Sequence, residues 1–437
     1  MQLLFVNKTT TDMKQTLRML CMVALSLTAT ASWAASPLMA KPKKATQAIV
    51  DGINYKLDAK NNKAKVVAGT NLYAGFVNIP EKFEEDSVTY YVEEIESGAF
   101  KDCVTLSAIT IPTTVTKIGS EAFKNCTTLE EITIPSSVIE LRSATFEGCS
   151  SLKNVIMHNN MTALGSGLFR RCTALKVISL PDGIKQLPSE IFEGCTSLTA
   201  VAIPATVSKI GSGAFEDCAS LTTIELPNTV KDLGSDIFKH CASLQEFSFS
   251  TSIRTIPSGC FEKCTSLTYV SISNSIAEIK NDAFKECASL DSIYLPNSVR
   301  SIGSAVFDGC SSLRSVNLPT AITEIPTKMF RNCSNLARIT IPNNIKAIKG
   351  DAFNGCSSLD LLDIPTSVKQ IDSDAFNNCG SLMTVTVRSG VPAKIKKDSF
   401  SKQFQKDGTL YVPSPTAYRN NPKLPWSTFR HIEAIRR

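Results

Sequence analysis

The sequence predicts a repeat solenoid. The expected form is a right-handed coil with a parallel β-sheet on one face, short strands or 3₁₀ turns on the other, and a cap at each end. Three observations predict it. A phrase built on A-F-x-x-C recurs thirteen times at a constant step of 23 residues, at Cys103, Cys126, Cys149, Cys172, Cys195, Cys218, Cys241, Cys264, Cys287, Cys310, Cys333, Cys356 and Cys379. Phe stands three residues before each of these cysteines and Leu three residues after. Proline closes the apolar run that follows in nine copies, at 112, 135, 181, 204, 227, 296, 319, 342 and 365. A unit this short cannot bury its own apolar side, so neighbouring units must stack into one continuous core.

The elements follow in chain order. Residues 1–34 read as a secretory signal peptide, with Met13-Lys14 a more natural start than Met1. Lys14 and Arg18 form a charged region, residues 19 to about 28 an apolar one, and Ser32-x-Ala34 a small-residue cleavage site. The apolar run falls short of the ~20 residues a membrane span needs. Cys21 precedes most of that run, whereas a lipidated cysteine would follow it. Residues 35–90 read as a linker and N-terminal cap, in which Ile53, Tyr55 and Leu57 alternate as a strand would. Residues 91–388 are the thirteen units.

Within a unit, L-x-x-I-x-I, as in LTTIEL at 221–226, is a short strand with one buried face. The proline after it cannot donate to a ladder and stops the strand. A second pair, such as Val230 and Leu233, returns inward on the opposite side of the coil. Gly or Pro then turns the chain, as at Gly211, Gly234, Pro257 and Pro326. A-F-x-x-C fits a single helical or 3₁₀ turn with Phe and Cys on its inner side. At a strand spacing of ~4.8 Å, thirteen coils span roughly 60 Å. Residues 389–437 read as a C-terminal cap, closed by Tyr411, Trp426, Phe429 and Ile432.

At these residues the chain resembles the BspA-like leucine-rich repeat proteins of bacterial cell surfaces, whose 23-residue repeat has this A-F-x-x-C-x-x-L-x-x-I-x-I-P form. The resemblance covers residues 91–388, and the segments 51–83 and 410–435 look like those that flank such arrays. It implies adhesion, with host extracellular-matrix proteins or other cells as the partner class. The signal-peptide reading implies export, to the cell surface, the medium or the periplasm.

The cysteines raise the question of chemistry. Without Cys21 the chain holds 14, an even number that invites disulfides in an exported protein. Side chains stacked in one column point the same way, however, and a disulfide needs its two Cβ–S vectors turned toward each other. Zinc needs about four converging ligands, which a single file of thiols does not offer. A nucleophilic cysteine needs a base, and His158, His240 and His431 are too scattered to serve thirteen sites. The column reads as a structural ladder of buried thiols. Cys260, four residues before Cys264, takes an apolar position just before Phe261; a local disulfide and a buried apolar substitute both remain open there.

Charge excludes little beyond nucleic acid. The net +6 falls to +4 without Lys8, Lys14, Arg18 and Asp12, leaving 43 basic against 39 acidic residues, too thin a surplus for a polyanion footprint across the whole chain. No basic stripe with interleaved aromatics stands out. No Walker loop, dinucleotide fingerprint, H-E-x-x-H or G-x-S-x-G occurs. No cofactor is implied, and the reading is of a non-enzyme.

Function is expected on the outward positions of the sheet, which are mostly Ser, Thr and Ala. One cluster rises above them: Glu225, Glu246, Tyr269 and Tyr294 fall on consecutive strands, two carboxylates beside two aromatic anchors. This is the candidate partner-binding patch, although Tyr is also an ordinary strand former. Two functions remain in view, a protein- or cell-binding surface protein and an envelope protein that presents or holds glycans or other proteins.

Overall fold

The computed structural model describes residues 46–420 and 424–435. The signal-peptide reading lies outside them. The described residues form one compact unit, a parallel β-solenoid in which every coil repeats the same columns. Leu106–Thr110, Glu131–Thr133, Asn154–Ile156, Glu246–Ser248, Tyr269–Ser271, Ser292–Ile293, Ser315–Val316, Leu361–Ile364 and Thr384–Val387 are the strands of L-x-x-I-x-I. Where they pair, they do so in parallel at a step of one unit, as in Glu246 opposite Tyr269 and Leu361 opposite Thr384.

The structure departs from expectation in the ladder, in the turns and at one residue of the C-terminal segment. Coils at 177–179, 200–202, 223–225 and 338–340 carry no strand in that ladder. Three of them stay joined through single bonds, with Thr199 N–H on the Lys176 carbonyl at 3.0 Å and Thr222 N–H on the Thr199 carbonyl at 3.2 Å. The second inward pair is the more regular ladder. It forms a two-residue strand in every unit, from Lys117–Ile118 to Lys394–Ile395.

The A-F-x-x-C segment is also not a helical turn. Two residues in each unit, five and one before the cysteine, adopt left-handed φ, as Gly98 and Asp102 do in the first copy and Asp374 and Asn378 in the last. Left-handed backbone interrupts a right-handed helix. The segment becomes a chain of tight turns whose alternate N–H groups reach the next coil, as Phe100 N–H does to the Ala122 carbonyl at 2.8 Å. Several of these positions hold residues with a Cβ. Replacing Ala144, at φ 56°, by Gly relieves about 1–2 kcal/mol of steric cost against about 0.4–1 kcal/mol of added unfolded-chain entropy. Ala144→Gly is expected to raise the urea midpoint by the equivalent of about 0.5–1 kcal/mol; an unchanged or lowered midpoint would show that the turn is not strained.

The core is a set of stacked columns. Fourteen phenylalanine rings from Phe100 to Phe400 lie one on the next, with centroids 5.1–5.8 Å apart. Two residues before the cysteines, charged side chains pair between neighbouring coils. Lys124 meets Glu147 at 3.0 Å, Glu262 meets Lys285 at 2.8 Å, and Asp308 meets Arg331 at 2.5 Å. Arg170–Glu193 and Glu216–Lys239 pair in the same way.

The flanking segments join the same core. Ile53–Asp58 pairs antiparallel with Gln47–Val50 and Lys63–Val66, burying Ile53, Tyr55 and Leu57. At the other end Trp426, Phe429 and Ile432 are buried, but Tyr411 is not fully so. Leu410 and Val412 take the inward places of strand Thr409–Val412, so alternation turns Tyr411 outward. Tyr418 fills the interior instead and donates its hydroxyl to the Ser389 carbonyl at 2.7 Å. Among the described residues no helix is long and apolar enough to cross a membrane.

Candidate binding face

The thirteen repeat cysteines and Cys260 are free and buried. Each repeat thiol from Cys126 to Cys379 donates to the phenylalanine carbonyl of the preceding coil at 3.0–3.2 Å, twelve such bonds in all. The thiol is therefore a donor as well as a filler, and its direction is set by a carbonyl. Burial pushes the Cys195 and Cys379 thiols up to about 12. Such groups are poor nucleophiles, because the thiolate is the reactive form.

Among the described residues, Glu216, Asp217 and His240 bring three donor atoms within 4.8 Å of one another. They are already engaged between coils. Asp217 Oδ1 lies 2.7 Å from His240 Nδ1, and Lys239 Nζ lies 3.3 Å from Glu216 Oε1. Pairing accounts for the group without an ion.

The outward positions of the first ladder are different in kind. Tyr269 and Tyr294 are 57% and 65% exposed. With Ser271, Ser292, Ser315 and Asn317 they line a shallow hollow of about 360 Å³. Asn317 is spent on structure: its amide accepts from Leu295 N–H at 2.8 Å and donates to the Leu295 carbonyl at 2.7 Å. Glu225 and Glu246 line an adjoining hollow of about 430 Å³. Glu246 and Tyr269 are register partners, so the four residues occupy two neighbouring hollows rather than one pocket.

The face extends further than those four residues. Among the described residues, six of the thirteen exposed large apolar side chains stand in its two outward columns: Phe76, Ile156, Val177, Tyr269, Tyr294 and Leu361. The sheet of the second ladder carries two, Tyr91 and Ile139. Phe76 precedes the units and bears no trace of the repeat phrase, yet strand Gly75–Asn78 sets it beside Ala108 in the same column. Arg388 was also missed. It chelates Asp363 through Nε at 2.9 Å and Nη2 at 2.7 Å, and this pairing raises its pKa. Its signal was a departure, because Arg388 stands where nine copies have proline.

A family model for the BspA type leucine rich repeat region, in six copies, matches residues 93–216, 185–296 and 277–405. The chain belongs to the BspA type leucine-rich repeat family. Solved structures of bacterial leucine-rich repeat proteins resemble it. One from Bacteroides ovatus is 27% identical, with a TM-score of 0.67, over 80% of this chain and 98% of that one. A leucine rich cell surface protein from Faecalibacterium prausnitzii is 29% identical, with a TM-score of 0.58, over 78% and 94%. One from Eubacterium ventriosum, at 20% identity and a TM-score of 0.51 over 81% and 93%, shares the fold. Among curated proteins nothing matches. The BspA type repeat thus supplies the scaffold, and the side chains that differ between coils supply whatever is particular to this chain.

Proposed function

We propose that this BspA type protein is exported and binds a protein partner or another cell through the outward columns of its first ladder, without catalysis. The observation that carries this reading is the concentration of exposed apolar side chains on that one face. Isolated exposed apolar residues are ordinary, but here they recur on one face and twice on neighbouring coils, Ile156 with Val177 and Tyr269 with Tyr294, and apolar side chains gathered on one face mark a contact surface. Tyr269 and Tyr294 are its aromatic anchors, and Glu225 and Glu246 set its polarity. The cell-surface description of the F. prausnitzii relative supports display outside the cell. A host extracellular-matrix protein is the partner class that the family resemblance favours.

The test is solid-phase binding of the mature chain to immobilised matrix proteins and to whole cells. The double variant Tyr269→Ala, Tyr294→Ala is expected to bind about 10- to 100-fold more weakly, the loss expected from truncating one or two anchors. An identified partner that binds the double variant unchanged would remove this patch from the interface.

A further inference from the structure

One outward column of the second ladder holds cations and no anion. Thirteen residues after each cysteine, at the first position past the inward Val or Ile, stand Lys185, Lys231, Arg254, Arg300, Lys346 and Lys369. All six are exposed. The remaining positions from Thr116 to Thr323 are Thr, Ser, Ala or Ile. Among the described residues the ion pairs use other basic side chains, and these six take part in none. Lys369 Nζ donates to the Thr366 carbonyl at 2.8 Å.

The column is held in line by backbone bonds between coils. Lys231 N–H meets the Ser208 carbonyl at 2.9 Å, Ala277 N–H that of Arg254 at 2.8 Å, and Lys369 N–H that of Lys346 at 2.8 Å. At ~4.8 Å per coil, six charges spread over eight coil steps cover about 38 Å, one positive charge per roughly 8 Å. Three residues earlier in each coil runs a second exposed column, Asn or Thr in all seven coils from Asn228 to Thr366. The next column along each coil is mixed in sign, with Lys117, Lys209 and Lys394 against Glu140, Asp232, Glu278 and Glu324, and Glu324 is already paired with Lys349 at 3.2 Å.

We propose that this column binds a linear acidic polysaccharide, one bearing carboxylate or sulfate groups at intervals along a hydroxyl-rich chain. The spacing and the neighbouring amides and hydroxyls both fit. Widely spaced cations match a polymer whose anions are separated by sugar rings, and the Asn and Thr column offers donors and acceptors to the hydroxyls between them. Nucleic acid fits less well. A duplex carries one charge per about 1.7 Å of axis, and single strands are gripped by aromatic stacking platforms, which this column lacks. The binding is independent of the tyrosine patch, which lies on the other ladder.

The experiment measures heparin affinity of the mature chain against salt. Its key variant is Lys231→Gln, Arg254→Gln, Arg300→Gln, Lys346→Gln; the control carries the same charge change elsewhere, as Lys60→Gln, Lys82→Gln, Lys176→Gln, Lys402→Gln. All eight side chains are exposed, so both proteins should melt like the parent. The column variant is expected to weaken heparin binding at least about 30-fold and to flatten the salt dependence, while the control and the double tyrosine variant keep parental affinity. Equal losses in column variant and control, or no loss in either, would overturn the assignment. So would an oligothymidylate that binds more tightly than heparin and is lost in the same variant, since the column would then serve nucleic acid.

Discussion

Raising the pH through about 9 to 10.5 is expected to unfold the solenoid, with thiolate absorbance appearing together with the loss of β-sheet circular dichroism. Burial holds twelve of the fourteen thiols above their ordinary range, Cys103 at about 11 and Cys195 and Cys379 at about 12. In Cys126 the neighbouring Cys149 thiol raises the value further than burial does. A raised folded pKa makes the stability fully present below the unfolded value of about 8.5, and that stability is lost as pH climbs toward the folded value. Each thiol kept neutral while its unfolded counterpart ionises costs about 1.4 kcal/mol per pH unit in that window. A dozen such groups exceed ~10 kcal/mol within one unit above 9, comparable with the whole stability of an ordinary domain of about 5–15 kcal/mol. Thiol counting in denaturant without reductant should find about fourteen reactive groups, matching the free cysteines. A protein that stays folded at about pH 11 after equilibration, or one with fewer than about twelve thiols, would mean that this column is not a stack of neutral S–H donors.

The fold was legible because the period never slips: the same phrase at a constant step dictates which side chains share a column, and stacking follows from the size of the unit. The turn geometry was not. Left-handed positions announce themselves when filled by Gly or Asn, whereas here Arg171, Lys263 and Lys328 also occupy them. The cost is absorbed by hydrogen bonds to the next coil, a tertiary effect that no local pattern encodes. The weakening of the first ladder between 177 and 225 was equally hidden, since alternation there is as good as elsewhere.

The binding face was half legible. Glu225, Glu246, Tyr269 and Tyr294 could be placed on consecutive coils of one face from register alone, although only Glu246 and Tyr269 lie in strands, Glu225 standing in a coil without one and Tyr294 just past Ser292–Ile293; Phe76 could not be placed, because its coil lacks the repeat phrase. The basic column escaped for a different reason. Its members lie 23 or 46 residues apart and vanish in a nearly balanced net charge, and the solenoid alone brings them into line. In a repeat protein, charge is best counted by column, since a column is a physical surface and a sequence window is not.

Trp426→Ala and Phe238→Ala delete comparable buried volume and are expected to fail in different ways. Trp426 packs on Tyr418, Phe429 and Phe400 with ring centroids 5.4, 5.4 and 5.9 Å away, and its indole N–H donates to the Ala393 carbonyl at 2.7 Å. Phe238 lies between Phe215 and Phe261, 5.6 Å from each, and beside Phe247 at 5.3 Å. Either truncation should cost about 3–5 kcal/mol locally. Stability in a stacked array is a sum over units and their contacts, so position decides the outcome. If residues 389–437 act as a cap, as we propose, removing Trp426 exposes the apolar cross-section of the last coil, and the array frays inward from that end. Hydrogen exchange should then lose protection around 376–395 while the coils before Phe238 keep theirs. Removing Phe238 should instead weaken the junction between the two halves and split the melt into two transitions. Uniform loss of protection in Trp426→Ala would show that the C-terminal segment is one more unit of the core and not a lid on its end.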